Sequence, residues 1–108
     1  MKIGGTYMNN SLSLSIIDKA ERIVLQQQYQ KLIYDTLCYC DKLNGLGDEE
    51  DKVEAKRLES VVIEMKYNSL PSNFEELSTN DFAFFYGQFY GMRTGLDLMQ
   101  SELDDEGL

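Results

Sequence analysis

Carboxylates are the most plentiful reactive groups in this 108-residue chain: nineteen, against ten lysines and arginines and no histidine. Lacking histidine, the chain has no imidazole general base, no Ser-His or Cys-His pair and few routes to a zinc or iron site. The two cysteines are Cys38 and Cys40. Two residues apart on a helix they point to nearly opposite sides, so they neither bridge each other nor share a metal there. They read as reduced, partly buried thiols of a cytoplasmic protein. The chemistry still open is that of carboxylates, which could hold a divalent cation or act as acid and base.

The carboxylate spacing does not fit that chemistry. All-α nucleotide pyrophosphatases place E-E-x-x-E on one helix and E-x-x-D on a second, to hold magnesium on a phosphate substrate. Here Glu49-Glu50 is followed by Asp51, Lys52 and Val53, so the third acid is missing at its step. Glu102 and Asp105 match E-x-x-D but sit in the tail. The sequence has no phosphate loop, no nucleophile elbow and no C-x-x-C. Tyr86 and Tyr90 could stack on bases, but Arg93 alone supplies too little positive charge for a nucleic-acid groove. No catalytic, cofactor or metal residue is therefore expected, and the chain reads as a non-enzyme.

What the acids can do is meet another protein. A net charge of −9 opposes direct contact with nucleic acid or an anionic membrane. It favours solubility, a partner with a basic surface, or imitation of nucleic acid. The acids form two clusters, Asp48–Asp51 and Glu102–Glu106. Carboxylates at helical intervals can mimic phosphate spacing and capture Lys and Arg. Asp48, Glu49, Glu50, Asp51 and Glu54 are the candidate partner-binding set. The plainer reading of the same residues is a solvated face whose first-turn acids meet the helix dipole.

Three helices must position these groups, which makes the fold class all-α, a small helical bundle in one domain spanning 1–108. Residues 1–10 read as irregular. Gly4-Gly5 can be encoded as a ribosome-binding sequence, so residues 1–7 are expected to be translated leader before a start at Met8. Ser15 and Asp18 form a capping box that opens the first helix, which runs to about Leu43 and stops at Asn44-Gly45. Ile16, Ile17, Ala20, Ile23 and Val24 share one side of it. Leu25, Tyr29, Leu32, Thr36, Cys40 and Leu43 share another, with Gln26-Gln27-Gln28 at the change. The helix therefore bends there or its halves face different neighbours. The second helix opens at Gly47-Asp48, buries Ala55, Leu58, Val62 and Met65, carries an exposed Asp48–Lys52 pair, and frays at Asn68-Ser69 before Pro71. Ser72 with Glu75 caps a short turn through Leu77.

The third helix, Asn80–Leu103, is capped by Ser78 with Asp81 and leaves an acidic tail at 104–108. Phe82, Phe85, Phe89, Met92, Leu96, Met99 and Leu103 step by three and four, the seam of a helix that packs along its length. Gly87, Gly91 and Gly95 form a second line, beside Phe84 and Leu98. Each glycine costs a helix interior about 0.8–1 kcal/mol relative to alanine, so close backbone approach is the expected compensation. Either a helix of the same chain lies on that face, or a second copy or partner does. With two contact faces, this helix is expected at the bundle centre. The sequence has no run apolar enough to span a membrane and no signal-peptide pattern.

The run FAFFYGQFYGMRTGLDLM resembles the F-x-x-G-x-x-x-G helix that ends many small helical proteins of Gram-positive phages and mobile elements. In size and acidity the chain is similar to phage-encoded inhibitors such as anti-CRISPR proteins. The resemblance implies an inhibitor of a host nucleic-acid-binding protein, such as a CRISPR effector, that occupies basic surface. The alternative is a structural or regulatory homodimer joined through Phe84, Gly87, Gly91, Gly95 and Leu98.

Overall fold

A computed structural model describes residues 4–105 of the chain, with side chains described from 18 to 104. Its order is α1 (Gly4–Leu46), α2 (Glu49–Glu64), a π-helical turn (Met65–Ser69), a 3-10 turn (Phe74–Glu76) and α3 (Thr79–Asp105). Among the described residues there is no strand. The protein is an all-α bundle of three main helices, as its apolar periodicity predicts.

Helix α1 is the shared element: α2, the 3-10 turn and α3 all pack on it. Leu25, Tyr29, Leu32, Thr36, Cys40 and Leu43 form its buried seam, a three-four repeat that keeps one face inward over five turns. The buried Thr36 hydroxyl donates to the Leu32 carbonyl at 2.7 Å, which satisfies it within the helix. At about 1.5 Å per residue α1 is about 64 Å long, close to the 68 Å long axis of the molecule. Gly47, at φ 81, adopts a left-handed conformation that a side chain would strain. It reverses the chain between α1 and α2 with only Asp48 left to cap the next helix.

Several expectations need correction. No capping box at Ser15 opens α1, because the helix is already formed from Gly4. Residues from Gly4 onward within 1–10 are helical, and residues 1–3 lie outside the described set. Nothing in 4–15 breaks a helix: Gly4 and Gly5 stand at its end, and no proline occurs. The helix is continuous through Gln26–Gln28, where a bend or a change of neighbours is expected. Gln26 instead accepts from the Phe74 amide at 3.4 Å and donates to the Ser72 carbonyl at 3.3 Å. Ile23 and Val24 stay exposed, while the side chains of Ile16 and Ile17 lie outside the described set. In place of an Asp48–Lys52 pair, Lys52 stands 3.9 Å from Glu49, since Asp48 is occupied as the N-cap. Asn73, not Ser72, caps the 3-10 turn, accepting from the Glu75 amide at 3.0 Å. Ser78 caps α3 as expected, its hydroxyl accepting from the Asp81 amide at 3.1 Å. Of the expected acidic tail, Asp104 and Asp105 are the end of α3, and 106–108 lie outside the described residues.

Helix α3 runs parallel to α1, pairing Arg22 with Phe82, Tyr29 with Phe85 and Phe89, and Asp35 with Arg93. Its Phe85–Leu103 seam faces the core. Burial pushes the Tyr29 phenol up to about 12, so it stays a neutral donor to the Phe85 carbonyl. Arg93 donates to Asp35 at 2.7 Å and to Asp97 at 2.8 Å. Burial pushes the Asp35 carboxyl up, yet its Arg93 and Lys31 partners outweigh this and hold it below the usual carboxylate range. A carboxyl lowered in the folded state stabilises above its unfolded pKa, and that contribution is lost as pH falls through the folded value. A double-mutant cycle of Asp35→Asn and Arg93→Met should give a coupling of about 1 kcal/mol near neutral pH. That coupling should survive to about pH 4 and vanish below it. A coupling unchanged at pH 2 would show that Asp35 does not act as a carboxylate.

Candidate acidic end and open helix face

With α1 and α3 parallel and α2 antiparallel to both, one end of the bundle gathers the C-termini of α1 and α3 and the N-terminus of α2. Asp48–Asp51 stands at that end, as do Glu102 and Asp104, the members of the second cluster whose side chains are described. The two groups are half the chain apart in sequence, and Tyr39 of α1 marks where they meet. Burial pushes its phenol up, and Glu54, Asp51 and Glu102 push it further by charge. Neither α1 nor α3 carries a basic residue in its last turn. Two negative dipole ends therefore point into the same region as the carboxylates, an arrangement that favours an external cation.

The five candidate partner-binding acids are not equivalent. Asp48 is extended at φ −76 and ψ 136, and its carboxylate accepts from the Glu50 amide at 2.9 Å. It serves α2 as a cap. Glu54 accepts from the Arg57 Nε at 3.1 Å, and that hydrogen bond holds its carboxyl below its ordinary value. Glu49 touches only Lys52, loosely. Glu50 and Asp51 make no ion pair among the described residues, so Glu49, Glu50 and Asp51 are the available charges. Glu102 and Asp104 on α3 are exposed beside them. No group of three or more Cys, Asp or Glu among the described residues is arranged to hold a metal ion. The thiols form no disulfide; Cys38 is exposed and Cys40 buried, and burial pushes the Cys40 thiol up, away from a nucleophilic thiolate.

The glycine line ends in a different place from the one its spacing predicts. A Cβ built at Gly87, Gly91 or Gly95 meets nothing within 4 Å. Among the described residues no helix lies on that face, so close packing between them is not what compensates the glycines. For the same reason α3 is not the central helix; it packs by one face, and α1 takes the centre. Phe84 is 64% exposed and Leu98 61%. The face continues sideways into a groove between α2 and α3, about 190 Å³ in volume, floored by Leu32 and Thr36 and walled by Val61, Val62, Met92, Gly95 and Met99. A second hollow, nearer Gln88 and Ser69, shares Val61 and Met92 with it.

Tyr86 and Tyr90, on another side of α3, are exposed with ring centroids 5.2 Å apart. Sequence reasoning missed Arg22, which is buried with its guanidinium on backbone carbonyls and over Phe82. Its register on the buried seam, three residues before Leu25 and seven before Tyr29, is the signal that could have found it. Among the described residues no helix is long and apolar enough to cross a membrane. Compared with known proteins, the chain matches no family model, no curated protein and no solved structure.

Proposed function

We propose that this protein is a non-enzymatic, cytoplasmic binding protein whose acidic end occupies a basic surface on another protein. In its concrete form it is a phage- or mobile-element-borne inhibitor of a host nucleic-acid-binding protein, such as a CRISPR effector. The observation that supports this reading is the convergence of the two acidic clusters at one end of the bundle. A single cluster in a first helical turn is accounted for by the dipole alone. Two clusters brought together from opposite halves of the chain, with Glu50 and Asp51 lacking an ion-pair partner among the described residues, have no such account within the fold. Charges set on stiff helices in a fixed array suit capture of Lys and Arg that otherwise hold phosphates.

The test is a tagged pull-down from a nuclease-treated lysate of a Gram-positive host carrying a CRISPR system, at low and at high salt. Stoichiometric capture of a nuclease, polymerase or repressor, weakening as salt screens the charges, is the expected result. The triple variant Glu49→Gln, Glu50→Gln, Asp51→Asn keeps the Asp48 cap, so its helix content by circular dichroism should be unchanged. Its affinity for the captured protein should fall by about threefold to a hundredfold, because each of three exposed pairs is worth about 0.2–1 kcal/mol and tenfold is 1.4 kcal/mol. Capture that is indifferent to both salt and these substitutions would refute the acidic end as the contact.

A further inference from the structure

The outer side of α3 and the groove beside it have different chemistry from the acidic end. The structure leaves them open. We infer that they receive the same surface of a second copy of this chain, α3 seated against α3, with each outer helix face covering the partner's groove. The groove between α2 and α3 is floored by α1 and lacks the fourth helix that would close the bundle. Val61 on one wall is 42% exposed, and Met92 and Gly95 on the other are half-buried. Exposed Phe84 and Leu98 stand at the two ends of the glycine line, where they can reach into a facing groove.

Charge selects the occupant. Each copy carries −9, so two copies repel except where the surface is uncharged. Between Phe84 and Leu98 this face carries no charge, Glu102 following one turn beyond it at the acidic end, and among the described residues Glu64 is the only charged one lining the groove and its adjoining hollow. The Glu64 carboxylate already accepts from Asn68 at 2.8 Å. A basic helix would find almost no carboxylate to pair with there. A second copy laid antiparallel meets no like charge along Phe84–Leu98 and keeps the two exposed Glu102 carboxylates, which continue the same stripe, at opposite ends; a two-fold axis makes the contact self-complementary. The extent is also adequate. The 22 residues from Asn80 to Ser101 span about 33 Å, and one helix diameter plus the groove is about 20 Å wide. That gives on the order of 600 Å² per copy, or about 1,200 Å² for the pair, the lower bound of stable specific interfaces.

The test is the mass of the full chain in solution by light scattering across concentration and salt. A mass of two copies is expected at high micromolar concentration. Added salt should strengthen the pairing by screening the net charge, the opposite of its effect on the acidic-end contact, so either interaction can fail without the other. Gly91→Leu and Val61→Glu change exposed positions and should halve the mass with helix content unchanged. One-copy mass for the unaltered chain at every concentration and salt overturns the inference, as does a two-copy mass that survives both substitutions. Should either variant lose its helical signal, spin labels at Thr94→Cys on a Cys38→Ser background report the contact in a folded chain. A short, single inter-copy distance supports it, and no inter-copy distance overturns it.

Discussion

Phe74→Ala should lower stability by about 3–5 kcal/mol, the range for removing a fully buried phenylalanine. Phe74 sits on a turn of only three residues and is 1% exposed. Its ring lies 5.7 Å from that of Tyr29 on α1 and 5.9 Å from that of Phe85 on α3. Tyr29 in turn meets Phe89 at 5.4 Å. The aromatic cluster therefore joins three elements, α1, the 3-10 turn and α3, and the Phe74 amide is held by Gln26. Truncation leaves a cavity that the two neighbouring rings, Tyr29 and Phe85, cannot fill, which puts the cost toward the upper part of the range. A domain of this length has a total stability of about 5–15 kcal/mol, so the variant is expected near the edge of folding, with a thermal midpoint lower by about 15 °C or more. Phe84→Ala is the matched control. That ring is largely exposed, and Phe85, edge-on, is its aromatic neighbour, so in dilute solution its loss should change stability by no more than about 0.5 kcal/mol. Urea unfolding followed by circular dichroism compares the two. A cost below about 1 kcal/mol for Phe74→Ala would mean that the 3-10 turn does not pin α3 to α1.

The contrast between these two phenylalanines shows what periodicity can and cannot reveal. The seam from Phe82 to Leu103 is local information, because a three-four repeat has one geometric solution, and it does face the core. The buried stripe of α2 and the Ser78 cap are legible for the same reason. Phe74 belongs to no repeat. Its burial follows from the chain reversing after Pro71 and laying a short turn across α1, which no local spacing encodes. The glycine line was ambiguous in a different way. Its spacing specifies a smooth face but not what covers it, and the open space at all three positions is a tertiary fact. The acidic end lies between these cases. Each cluster is plain in the sequence, whereas their meeting around Tyr39 depends on α3 running parallel to α1. Ser15 misled because a good cap residue is only a preference, and nothing before it stops the helix.

Arg22→Met should cost about 3 kcal/mol, although it removes a charge from a buried position. Arg22 is 6% exposed and has no carboxylate partner among the described ion pairs. Its Nε donates to the Leu77 carbonyl at 2.9 Å and its Nη1 to the Asp18 carbonyl at 2.9 Å, while the guanidinium lies 4.8 Å from the centre of the Phe82 ring. Hydrogen bonds to a charged group are worth about 1.5–3 kcal/mol each, and the cation–ring contact adds about 0.5–2 kcal/mol. Against this stands the desolvation of the cation, which methionine relieves; the estimate is the remainder. The Leu77 amide closes the 3-10 turn on the Phe74 carbonyl immediately before Ser78 caps α3, so the guanidinium that holds the Leu77 carbonyl also sets where α3 begins. Arg22→Lys tests the geometry rather than the charge. An ammonium is a point donor without the planar fork, so it cannot hold both carbonyls and stack on Phe82 at once, and it should recover less than half of the loss. Unfolding of both variants in urea decides the matter. Equal stability of Arg22→Lys and the unaltered chain would show that charge alone suffices at this junction, and that the two carbonyl contacts do not position α3.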